Sequence, residues 1–60
     1  MRPKEIIKIL NSDGWQEVRQ KGSHKQFHHP TKKGTVTVPI HPGDLEPEIV
    51  KSILSQAGIK

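Results

Sequence analysis

Sixty residues amount to one small domain, too short to build a deep cavity around a metabolite; a domain of this size buries only about 60% of the surface its unfolded chain exposes. Hydrophobic residues are 30% of the chain, with one Trp, one Phe and neither Tyr nor Cys, so Ile, Leu and Val must build the core, without a disulfide or a thiolate-held zinc. Ten Lys and Arg against six Asp and Glu leave a formal net charge of +4, which favours a polyanion bound at the surface, with an affinity that falls as salt is added.

The chain begins with charges at Arg2, Lys4 and Glu5 where a signal peptide needs an apolar run, and no segment could span a bilayer. The expectation is a protein of the reducing cytoplasm with no membrane partner. From Pro3 to about Asp13, Ile6, Ile7 and Leu10 recur at helical spacing, with Pro3 suited to the first turn and Gly14 to the stop. Lys4 and Lys8, one turn apart and off that stripe, are expected to face water. Trp15 to Gln20 mixes Trp and Val with polar residues and predicts a first strand, closed by a turn at Lys21, Gly22 and Ser23. His24 to His29 predicts a second strand around Phe27, and Pro30 to Gly34 a second turn.

Thr35 to Ile40 carries the clearest strand pattern, because Val36, Val38 and Ile40 alternate with Thr35, Thr37 and Pro39. Pro39 cannot donate to a ladder, which places it at a sheet edge or beyond the last pairing. A second helix is predicted from Pro47 to Ala57, with a stripe of Ile49, Val50, Ile53, Leu54 and Ala57 and a stop at Gly58. The expected fold class is therefore α+β, a single domain in the order α-β-β-β-α, with a three-stranded antiparallel sheet and both helices packed on one face. If Phe27 points toward the helices, alternation sends Lys25 and His29 inward or to the rim, and His24, Gln26 and His28 to the open face.

The run Lys21, Gly22, Ser23, His24, Lys25 gathers cations, a close-approach glycine, a hydroxyl and an imidazole, the groups that metal-free RNA cleavage requires. On composition alone the same run reads first as a solvated loop. Imidazole has an unperturbed pKa of about 6.5, so His24 is suited to take or give a proton near neutrality. His28, His29 and His41 raise the question of a metal, but His28 and His29 point to opposite faces of a strand and no Cys is present, so no metal or cofactor is expected. Asp13, Glu17, Asp44, Glu46 and Glu48 form no evident catalytic pair, and Asp44, Glu46 and Glu48 are expected to cap the second helix. Trp15 is expected to close the junction between the first helix and the sheet.

The run from Gly14 to His24 (Gly-Trp-Gln-Glu-Val-Arg-Gln-Lys-Gly-Ser-His) resembles the start of the HicA toxin family, whose hallmark is Gly, Ser, His after the first strand. Val36 to His41 resembles the family's third strand, and Ile53 to Ile59 its closing helix, so the likeness covers nearly the whole chain. The resemblance implies a double-stranded-RNA-binding-domain-like fold and a toxin that cuts mRNA without metal. It implies His24 as the catalytic acid or base, with Lys21, Gly22, Ser23 and Lys25 around the substrate, and His28 as the candidate for a second proton carrier. It also implies a HicB-type antitoxin covering the active face; a homodimer and a hetero-oligomer with that antitoxin are both compatible with it. Two other classes compete: a module of the same fold that binds RNA without cutting it, and a subunit that only assembles with an acidic partner.

Overall fold

In a computed structural model, which describes residues 1–59, the elements are α1 (Pro3–Asp13), β1 (Gln16–Lys21), β2 (His24–His28), β3 (Val36–Pro39) and α2 (Pro47–Gln56). The strands form one antiparallel sheet in the order β1-β2-β3. Phe27 stands opposite Val36, and all three of Phe27, Val36 and Val38 are buried together with Ile6 and Leu10 of α1 and Ile53 and Ala57 at and just past the end of α2. Cross-strand partners share a face, so both helices cover the face that carries Phe27. Among the described residues, the other face has no second layer.

α1 starts on a reciprocal contact. The Arg2 backbone N–H donates to the Glu5 carboxylate at 2.9 Å, and the Arg2 carbonyl accepts from the N–H groups of Glu5 and Ile6. It stops at Gly14, whose φ of +110° turns the chain and lets the Trp15 N–H donate to the Leu10 carbonyl at 2.9 Å. A β-carbon at Gly14 would lie 2.8 Å from His29 Nε2. Gly14→Ala is therefore expected to lower stability by on the order of 2 kcal/mol, from backbone strain and the displaced imidazole together. Urea unfolding reads this directly, and an unchanged midpoint would show that the turn tolerates a side chain.

The structure departs from the sequence expectation in several details. The five-residue stripe of α2 is only partly buried: Ile53 and Ala57 are in the core, Val50 and Leu54 are half-buried, and Ile49 is 40% exposed. At 100° per residue five such positions span more arc than one line of contact with so small a sheet can cover, and Ile49 falls on the flank. Glu46 occupies the N-cap of α2 without a side-chain cap, and Asp44 lies 3.9 Å from the terminal ammonium of Met1 instead. Glu48 in the first turn can act only through the helix dipole. Leu45, in the loop before α2, joins the core while its N–H donates to the Met1 carbonyl at 2.7 Å.

Candidate active site

The β1–β2 hairpin turns on two residues, Gly22 and Ser23, between the paired Lys21 and His24. Gly22 has φ +61° and, among the described residues, no non-glycine residue has positive φ, the sign pattern of a type II′ turn, which matches the twist of the strands that flank it. Two further contacts hold the turn. Gln20 Nε2 donates to the Gly22 carbonyl at 3.0 Å, and the Ile40 N–H donates to the Ser23 carbonyl at 2.6 Å, tying the turn to the chain just after β3. His24 is thus the first residue of the central strand, exposed, with Lys21 beside it on β1 and Pro39 beside it on β3.

Because Phe27 faces the helices, alternation along β2 puts His24, Gln26 and His28 on the open face. Lys21, Gly22, Ser23 and His24 come together at one end of that face. Lys25 does not join them: it points to the helix side opposite Val38, where its ammonium lies 3.2 Å from the Glu17 carboxylate. His28 shares the face of His24 but stands four residues along an extended strand, about 13 Å away between Cα atoms at the usual rise per residue. Its Nε2 is 3.0 Å from Thr35 Oγ1.

A second polar cluster, invisible in the sequence pattern, lies at the opposite end of β2. His29 Nδ1 accepts from the backbone N–H groups of Thr31 and Lys32 at 3.0 and 3.1 Å, which leaves Nε2 to donate to the Asp13 carbonyl at 2.8 Å. The ring packs edge-on against Trp15, with centroids 5.2 Å apart. Trp15 itself is buried and its Nε1 donates to the Ala57 carbonyl at 3.2 Å. Lys32 Nζ donates both to Asp13 Oδ2 at 2.6 Å and to the Ala57 carbonyl at 3.0 Å. The loop after β2 therefore ties the carboxyl ends of both helices to each other, where unpaired carbonyls attract a cation. Asp13 and Lys32 are 19 residues apart in the chain, so no local signal announces the pair.

The hydrogen bond from Lys32, opposed by desolvation and helped by the Lys32 charge, holds the Asp13 carboxyl below its usual pKa. A carboxyl lowered on folding stabilises the native state above its unfolded pKa, and that contribution is lost as pH falls toward the folded value. Acidification from pH 6 to about pH 3 is thus expected to cost the wild type more stability than it costs Asp13→Asn, a difference that urea midpoints at the two pH values measure. Equal losses would remove Asp13 from the acid response.

Three grooves indent the surface away from His24: one between α1 and Ile59, one between α2 and Ile59, and one among Arg2, Lys4, His41 and Gly43. None of these three is lined by a residue of β1 or β2, and His24 itself is exposed. Among the described residues, no three His, Asp or Glu side chains gather closely enough to hold a metal ion, and no helix is long and apolar enough to cross a membrane.

Comparison with known proteins gives this arrangement a lineage. The family model for the HicA toxin of bacterial toxin–antitoxin systems matches residues 3–59. The chain belongs to the HicA toxin family. A solved toxin–antitoxin complex from Streptococcus pneumoniae contains a chain that is 32% identical and superposes with a TM-score of 0.84, over 98% of each chain. No curated protein matches. The segments that carry the HicA resemblance are now placed: the β1–β2 hairpin, β3 with the two residues after it, and the carboxyl end of α2 with the turn that follows.

Proposed function

We propose that this HicA-family chain is a metal-independent endoribonuclease, an mRNA interferase of the cytoplasm, in which His24 moves a proton during cleavage. The observation that carries the reading is the placement of His24: an exposed imidazole at the end of a central strand, on an uncovered sheet face, directly across from Lys21. An extended phosphodiester chain can lie on such a face, whereas a small metabolite would find no enclosure there. In cleavage the ribose 2′-hydroxyl attacks the adjacent phosphorus; a new O–P bond forms as the bond to the 5′-oxygen breaks, and a 2′,3′-cyclic phosphate remains. One proton leaves the 2′-hydroxyl and another reaches the departing 5′-oxygen, and His24 carries one of these transfers. Lys21 steadies the charge that gathers on the phosphoryl oxygens, while Gly22 lets the phosphate approach the backbone. Ser23 orients the turn through its carbonyl, which Ile40 holds.

The same face would be the target of an inhibitor. A HicB-type antitoxin is the expected partner, supported by the toxin–antitoxin complex in which the similar solved chain is found. The direct test is incubation of the purified chain with a long single-stranded RNA in EDTA at neutral pH, followed by end-group analysis. Cleavage that leaves cyclic phosphate ends, with the matching DNA intact, is the expected outcome. RNA that is bound but never cut would replace the enzyme with a binding module of the same fold.

A further inference from the structure

The β1–β2 ladder is not regular. Glu17 pairs with Phe27 and Arg19 with Gln26, so Val18 is an extra residue in β1 with no partner of its own, a β-bulge. In an unbroken ladder of the same chain Val18 would oppose Gln26, and Arg19 would oppose Lys25 on the helix side. The bulge moves Arg19 one place, opposite Gln26 and so onto the open face. Beyond it the alternation continues, with Gln20 opposite Lys25 and Lys21 opposite His24. The open face is therefore ruled into rows across the sheet: Lys21, His24 and Pro39; then Arg19, Gln26 and Thr37.

Among the described residues, Arg19 and Lys21 are the strand cations on the open face, and neither has an ion pair. Lys25 is engaged by Glu17, and Lys32 by Asp13. Arg19 is exposed and, among the described residues, has neither an ion pair nor a side-chain hydrogen bond. Its neighbours on the row, Gln26 and Thr37, carry no charge to oppose an anion. A guanidinium presents a planar fork of donors that fits two phosphate oxygens at once, in fixed orientation, where an ammonium acts as a point charge.

We infer that Arg19 is an RNA-binding residue of this chain, one that holds the backbone phosphate adjacent to the one cut at His24 and so sets the register of the strand on the sheet. One row of the sheet is about 6.6 Å from the next same-face row at the usual strand rise, close to the spacing of successive phosphates in a bent single strand. This deepens the ribonuclease reading and rests on its RNA substrate, though not on cleavage itself.

The test measures binding of a short single-stranded RNA with 2′-deoxy nucleotides, which lack the attacking hydroxyl, to the His24→Ala protein over a range of salt, alone and with Arg19→Ala, Arg19→Lys or Lys51→Ala added. Lys51 lies on α2 in the helix layer and controls for the loss of one positive charge. Arg19→Ala is expected to weaken binding by about tenfold near physiological salt and to flatten the salt slope by about 0.7. Arg19→Lys is expected to keep the slope while recovering only part of the affinity, and Lys51→Ala to change affinity by less than about twofold. Equal effects of Arg19→Ala and Lys51→Ala, or RNA binding that does not depend on Arg19, would overturn the assignment, as would a parent protein that binds no RNA. Cleavage by the chain with His24 in place is scored separately. RNA that is cut by that protein but bound without regard to Arg19 removes only Arg19, and RNA bound through Arg19 but never cut removes only the nuclease.

Discussion

His24→Ala is expected to slow RNA cleavage by about 10²- to 10⁴-fold, the usual contribution of a positioned acid or base, while leaving the fold in place. The separation of the two effects follows from the position. His24 is exposed, contributes nothing to the core and, among the described residues, makes no side-chain hydrogen bond. Its backbone pairings with Lys21 and Pro39 do not depend on the imidazole. An alanine there should therefore unfold at nearly the same temperature as the parent and still bind RNA, because Lys21 and Arg19 remain. Single-turnover cleavage, a thermal melt and a binding isotherm on the same preparation make the case together. A variant that cuts as fast as the parent would take His24 out of the mechanism, and one that neither folds nor binds would recast it as structural.

Phe27→Ala should do the reverse, abolishing function by removing the fold. Phe27 is the only Phe, Tyr or Trp in the sheet among the described residues, has no exposed surface, and packs opposite Val36 beneath both helices. Truncating a buried Phe to Ala costs about 3–5 kcal/mol. A chain of this length is expected to have about 3–9 kcal/mol of stability in all, at roughly 0.05–0.15 kcal/mol per residue. Much of the population is therefore expected to be unfolded at 37 °C, with RNA binding and cleavage lost in proportion. Phe27→Leu, which keeps most of the volume, should cost under about 1.5 kcal/mol and retain activity. Urea titration of the three proteins decides the matter. A Phe27→Ala protein with a near-parental midpoint would mean that the helices find support that does not pass through β2.

Phe27 is also what makes the site legible in advance. Once that side chain must be buried, a period of two places His24 and His28 on the opposite face and Lys25 beneath the sheet, whatever the rest of the chain does. The same local logic, strict alternation in β3, helical spacing at Ile6 and Leu10, and Gly14 and Gly58 as stops, is enough to establish the α-β-β-β-α order, because each signal lies within a few residues of its effect. With the Gly-Ser-His turn added, the sequence by itself determined the family and the catalytic candidate.

Other features depended on contacts between distant segments and could come only from the tertiary structure. Lys25 stands next to His24 in the chain, yet Glu17 claims it across the sheet. Arg19 reaches the open face because the register slips by one residue at Val18, and a slip in pairing leaves no mark on the pattern of either strand. Lys32, His29 and Asp13 close the carboxyl ends of two helices through pairings 16 to 25 residues long in sequence. Periodicity reports which way a side chain points within its own element; which charge meets which, and therefore which cations are left for a substrate, is settled only when the elements are packed together.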